Sequence, residues 1–179
     1  MTKRIIECVP NFSEGRDNAI IKQITDAVCS VKGVKLLDVD PGEATNRTVV
    51  TFVGEPDDVL EAAFRAVKKA SEVIDMRNHH GAHPRMGATD VLPLIPISGI
   101  TLEECAVLAK GLAKRIAEEL QIPTYCYEAA ASCPARKILQ YAVKENMRHF
   151  QNGYVVLRKL LISVRVNLMI VLLVRGLPL

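Results

Sequence analysis

The sequence of 179 residues has no tryptophan, and four tyrosines and four phenylalanines are its only aromatic side chains. That is too few to build stacking platforms for single-stranded nucleic acid. Acidic residues are missing from one end: none follows Glu145, whereas Arg148, Arg158, Lys159, Arg165 and Arg175 do. The 23 basic residues less these five leave 18 against 20 acids in residues 1–147, so the formal net charge of +3 resides in the tail. A slightly acidic body argues against a nucleic-acid partner. Cysteine pairs are lacking too. The five cysteines, Cys8, Cys29, Cys105, Cys126 and Cys133, are odd in number with no CxxC spacing, and Met-Thr-Lys-Arg before a short apolar run ending at Pro10 is no secretory signal. A reducing, cytoplasmic setting is expected, with four of the five cysteines acting as small core hydrophobes.

Long uninterrupted apolar runs are also absent. Val155 to Val174 is very apolar, but Arg158, Lys159 and Arg165 interrupt it, and the longest charge-free run is Val166 to Val174. A membrane span needs about 20 such residues. We expect no span here but a strand or helix packed on protein, with an amphipathic surface segment as the alternative. What is present is the composition of a folded domain, 49% apolar and 24% charged, at a length suited to one core.

Periodicity alternates regularly along the chain. Ile5 to Val9 reads as a strand ended by Pro10, and Arg16 to Val31 as a helix with Ile20, Ile21, Ile24, Ala27 and Val28 on one face. Val34 to Val39 is a strand punctuated by Asp40-Pro41-Gly42, and Arg47 to Val53 is its returning partner. Pro56 opens a helix to about Ile74. Residues 75–90 read as a loop, then Val91 to Ile97 as an edge or irregular strand because of Pro93 and Pro96. Thr101 and Glu104 form a capping box for a helix whose apolar side is Leu102, Cys105, Leu108, Leu112, Ile116 and Leu120; Tyr125 to Tyr127 reads as a short strand. The order strand–helix–strand–strand–helix–strand predicts an α/β (α+β) fold, a ferredoxin-like split βαβ sandwich with helices on one face of a mostly antiparallel sheet. The alternation lapses beyond about Glu145, dividing the chain into residues 1–147 and a basic apolar tail, 148–179.

Three of the four histidines, His79, His80 and His83, lie within five residues, in Asn78-His79-His80-Gly81-Ala82-His83-Pro84-Arg85-Met86-Gly87. Asn11, Ser13 and Glu14 follow the first strand, Asp38, Asp40 and Glu43 close the second, and Asn46 and Arg47 open the third. Loops leaving the sheet thus carry an imidazole, carboxylates, amides and guanidinium groups, the equipment for proton transfer on a small polar substrate. A metal site is the first alternative, because His79 and His83 are four apart; Gly81 and Pro84 oppose the helix it needs, and no metal is expected. The other alternative is a polar surface loop whose histidines only hydrogen-bond.

Three blocks, E-C-V-P-N-F-S-E-G at 7–15, T-N-R-T-V-V-T-F-V-G at 45–54 and H-P-R-M-G-A-T-D-V at 83–91, resemble the glutamate formiminotransferases, the transferase half of formiminotransferase-cyclodeaminase. L-L-D-V-D at 36–40 and A-E-E-L at 117–120 fit the same pattern, and the match to that family's amino-terminal subdomain runs from Ile5 to about Tyr141. The resemblance implies transfer of a formimino group from formiminoglutamate to tetrahydrofolate as co-substrate, within one-carbon metabolism and histidine catabolism. It also implies that His83, which opens the H-P-R-M-G block, is the catalytic histidine. Asp40 is the candidate for orienting its imidazole, and Asn11, Asn46 and Arg47 for holding substrate.

Two departures bear on activity. The family usually has an acid just before its histidine, where this chain has Ala82. The family also has a second subdomain and a folate-binding loop joining the two; here Tyr141 to Gly153 stands at that connection, and residues 158–168 resemble only the first strand of the second subdomain. Two readings follow: a folate-dependent transferase that is weak or inactive as an isolated half, and a non-catalytic folate-binding or protein-interaction module descended from it. The apolar tail is a candidate docking edge for a second copy or a partner subunit.

Overall fold

The computed structural model describes residues 2–82 and 87–131. His83, Cys133, the expected boundary near Glu145 and the tail lie outside the described residues.

The chain opens with strand β1 (Ile5–Cys8), which Pro10 interrupts before a two-residue continuation, β2 (Asn11–Phe12). Helix α1 (Asn18–Cys29) starts two residues later than its periodicity suggests, because the Asp17 carboxylate caps it by accepting from the N–H groups of Ala19 and Ile20. Strand β3 (Val34–Gly42) continues through Asp40-Pro41-Gly42. Among the described residues it is an outer strand paired only with β4 (Arg47–Gly54), and there a proline is tolerated. Helix α2 (Pro56–Val73) begins with Pro56 and places Asp57 and Asp58 in its first turn, where the helix dipole favours acids. The next expected strand divides at Pro93 into β5 (Thr89–Val91) and β6 (Leu94–Ser98). Helix α3 (Leu102–Leu120) carries the full capping box: Thr101 Oγ1 accepts from the Glu104 N–H, and Glu104 accepts from the Thr101 N–H.

All the pairings among the described residues are antiparallel. β4 runs between β3 on one side and the β1–β2 pair on the other, and β6 and β5 lie beyond β1 and β2. Counted as four continuous paths, the spatial order is second, third, first, fourth, the split βαβ arrangement expected from the sequence. The two outer paths differ. β3 is nine residues long, while β5 and β6 are short pieces broken by Pro93.

Strict alternation on β4 sorts its residues, with Thr48, Val50, Phe52 and Gly54 buried and Arg47, Val49, Thr51 and Val53 half-buried. The first set joins Ile6, Cys8, Phe12 and Leu94 in one core with the helices, whose fully buried members include Ile24, Val59, Ala63, Val67, Cys105, Ala109 and Ile116. The second set belongs to a face on which no described helix packs its apolar stripe. Helices α2 and α3 are held together at their surface by Glu61, which accepts from Arg115 Nη1 at 2.7 Å, while Arg115 lies 3.8 Å above the Phe64 ring. The Arg115 hydrogen bond holds the Glu61 carboxyl below its usual range.

Two sequence expectations are corrected. Leu102 is 46% exposed in the first turn of α3, and the buried stripe runs through Cys105, Ala106, Ala109, Leu112, Ala113 and Ile116. Alanine lets the helix approach closely where a leucine would not fit. Tyr125 to Tyr127 does not form a strand: Tyr125 alone makes a bridge, and Glu128 at φ 58° turns the chain into a 3-10 turn, Glu128–Ala130. Cys8, Cys105 and Cys126 are buried, as expected of core residues, whereas Cys29 is exposed. Burial pushes the Cys105 thiol up to about 11 and the Cys8 thiol well above its ordinary range. No helix among the described residues is long and apolar enough to cross a membrane.

Candidate functional site

At one end of the sheet three stretches meet: the loop after β2, the turn between β3 and β4, and residues 80–82 and 87–88 ahead of β5. Asn46 lies at their centre. It occupies the left-handed region at φ 50°, which asparagine tolerates better than most residues, and it is 6% exposed. Its Oδ1 accepts from the Gly15 N–H at 2.9 Å, and its Nδ2 donates to the His80 carbonyl at 3.1 Å. Thr48 Oγ1 donates to the Glu14 carbonyl at 2.5 Å, and Arg16 Nε donates to the Glu43 carbonyl at 3.0 Å. Ser13 is 1% exposed; its Oγ donates to the Gly87 carbonyl at 2.6 Å and its N–H to the Ala88 carbonyl at 2.8 Å. The Ala82 N–H donates to the Ala44 carbonyl at 3.4 Å.

Glycine at position 15 follows from this crowding. A Cβ there would lie 2.5 Å from both the Arg47 nitrogen and the Gly42 carbonyl oxygen. The block N-F-S-E-G is thus a packing device as much as a polar loop.

Cross-strand register sorts the sequence-predicted residues. Asp40 faces Val49, and Val49 faces Asn11, so Asp40 and Asn11 stand in one row two strands apart, about 10 Å at the usual strand spacing. Arg47, two residues before Val49 on β4, shares that helix-free face. Asp40 is exposed, and Asn11 is half-buried with its Nδ2 donating to the Val9 carbonyl at 3.2 Å. Arg47 Nη2 is 3.1 Å from Asp90 Oδ2, and the Asp90 side chain is only 5% exposed. The buried carboxylate compensates a guanidinium that is itself largely withdrawn from water. Asn46 differs from these three, since its amide is directed into the backbone of two neighbouring segments. His83 lies outside the described residues, between the fixed flanks Ala82 and Gly87.

Sequence reasoning singled out Asn11, Asp40, Asn46 and Arg47 but gave no role to Thr48 or Asp90, and left Ser13 as one polar loop residue. All three occur inside the motif blocks at 7–15, 45–54 and 83–91, so block membership was the available signal. Among the described residues no three His, Cys, Asp or Glu side chains converge as metal ligands.

Residues 5–156 match the family described as formiminotransferase domain, N-terminal subdomain. The chain is 52% identical over 136 residues to the formimidoyltransferase-cyclodeaminase of Rattus norvegicus, covering 76% of this chain and 25% of that protein. It is 50% identical to the glutamate formimidoyltransferase of Streptococcus pyogenes serotype M1, covering 46% of that protein. It is 46% identical over 147 residues to the glutamate formimidoyltransferase of Thermoplasma acidophilum, covering 48% of that protein. The chain therefore spans from a quarter to about half of the length of these relatives.

Proposed function

The chain belongs to the formiminotransferase family through its N-terminal subdomain, and from that premise we propose that it serves formimino transfer from formiminoglutamate to tetrahydrofolate, both bound as substrates. The observation that carries this reading is the meeting of all three motif blocks at one end of the sheet, tied through Ser13, Asn46 and Thr48.

His83 acts as general acid and base. A folate ring nitrogen attacks the formimino carbon and gives its proton to the imidazole; the carbon–nitrogen bond to glutamate then breaks, and the departing amine takes that proton. An imidazole with an ordinary pKa of about 6.5 can serve both steps near neutral pH. Asp40 orients the imidazole from β3, and Arg47 and Asn11 hold carboxylate and amide groups of the substrate from the same face. Asn46 contributes by keeping these elements in place. The odd number of cysteines without CxxC spacing suits a reducing, cytoplasmic compartment.

On this reading residues 1–147 form one half of a cleft and the tail begins what would be the other half. Catalysis requires substrates held at near-attack distance, so the half alone turns over weakly or not at all. A second reading, a folate-binding module without turnover, is favoured by the helix-free face, where Val49 lies half-buried between Asn11 and Asp40 and Val91 on the other side of Asn11. Calorimetry with folinic acid and a steady-state assay with formiminoglutamate and tetrahydrofolate separate the readings. We expect measurable folinic acid binding with turnover close to background. Robust turnover that His83→Ala abolishes would overturn the inactive-half reading, and absence of any folate heat would overturn both.

A further inference from the structure

We infer that Asp90 is a positioning residue: it holds the Arg47 guanidinium aimed at the helix-free face, where that group receives a carboxylate of the substrate. The inference rests on the reading of Arg47 as a substrate-holding group. The two residues come from different strands. Phe12 faces Thr48 of β4 on one side and Thr89 of β5 on the other, so Arg47 and Asp90 are the adjoining residues and their ion pair spans β2. The carboxylate reaches across because the register between β2 and β5 shifts there. Asn11 faces Val91 while Phe12 faces Thr89, which makes Asp90 the extra residue of a bulge. A bulge re-aims one side chain while its neighbours keep their places in the sheet. Thr89 accordingly stays fully buried, while Asp90 turns to Arg47, with Oδ2 3.1 Å from Nη2.

Exposure divides the labour within the pair. The Asp90 side chain is 5% exposed and that of Arg47 22%, so the carboxylate is the interior member and the guanidinium the one that meets a ligand. Withdrawn from water, the carboxylate attracts the guanidinium more strongly than a solvated one would. An arginine that swings freely loses rotamer freedom each time it binds, and one already held loses less. Charge compensation alone predicts the opposite behaviour from positioning. If Asp90 served only to offset charge, removing it would leave a net positive site and strengthen anion binding. If it positions, removing it weakens anion binding in spite of the added positive charge.

Asp90→Asn removes the charge and keeps the shape, and Asp90→Glu keeps the charge but displaces it by one methylene. The readout is the Arg47 side-chain Nε–H signal of the full chain by proton–nitrogen NMR, assigned by its loss in Arg47→Lys. It is followed first without ligand, then in titrations with formiminoglutamate and with glutarate, a dicarboxylate that lacks the formimino group. We expect both carboxylates to shift the signal in the unsubstituted chain. In Asp90→Asn the Nε–H should exchange with water faster, and both dissociation constants should rise about 10-fold, the loss of one well-placed charged contact. Asp90→Glu should fall between the two, and it carries the comparison if Asp90→Asn does not fold. Thr101→Ala, which lowers stability at the far capping box, should leave exchange and affinity unmoved. By calorimetry, Asp90→Asn added to Arg47→Lys should cost little further affinity, because the two residues act as one unit. Unchanged or tighter binding in Asp90→Asn, an equal loss in Thr101→Ala, or an Arg47 signal that answers to neither carboxylate overturns the inference. Glutarate binding that weakens in Asp90→Asn, in a chain that does not turn over formiminoglutamate, upholds it and counts against the transfer reading alone.

Discussion

Gly15 and Cys105 show how single residues carry the architecture. Gly15 stands where a methyl group would press on two backbone atoms at 2.5 Å, neither of which can swing aside. Gly15→Ala is therefore expected to cost about 1–3 kcal/mol, measured by urea denaturation, because strand β4 or the β3 end must move. At Cys105 burial raises the thiol from its ordinary 9.0 to about 11, so the folded chain holds this proton more tightly than the unfolded chain does. That contribution is complete below pH 9 and is lost as the pH climbs through about 11. Cys105→Ala should make the alkaline fall in stability shallower between these values. It should not abolish the fall, because Cys8 is raised in the same way. At this scale the sequence was readable by residue type: Asn11, Asn46 and Arg47 stood out as polar residues of the motif blocks, and the structure brings those blocks to one end of the sheet. The job of Asn46 was not readable, because its two partners are distant in the chain and only the folded backbone brings them together.

At the scale of elements, local signals proved sufficient where they were chemical and insufficient where they were only hydropathic. The Thr101–Glu104 box was legible because both halves of the reciprocal bond lie three residues apart. Removing it in Thr101→Ala is expected to cost about 1 kcal/mol by the same urea measurement. On α3 the expected Cys105, Leu112 and Ile116 are buried, but Leu102 is not and Ala106, Ala109 and Ala113 were passed over, because periodicity weighs leucine above alanine, while close packing against a helix or sheet selects alanine. Pro10 was read as a stop and Pro93 as the mark of an edge or irregular strand. Each divides a strand path into two pieces that stay in the sheet, and the carbonyls of Pro10 and Pro93 still accept from the N–H groups of Val50 and Val9. The start of α1 moved to Asn18 for a reason visible in the sequence, an aspartate at the capping position.

At the scale of the molecule, the split βαβ order followed from the sequence of elements, and the meeting of the three motif blocks followed from that order. Loops that leave the same end of neighbouring strands must be neighbours. What periodicity could not supply was depth: that Asp90 would be buried against Arg47 while Asp40 stays exposed depends on which strand lies outermost. The unlike outer strands have one further consequence. Strand addition needs a long run of free backbone donors and acceptors, and among the described residues only β3 offers one, since the opposite border is short and broken by Pro93. The described sheet is thus monovalent for edge pairing. Two such sheets joined border to border through β3 would each use up the one long border that the described residues offer, which makes the pair a closed two-fold arrangement of those residues.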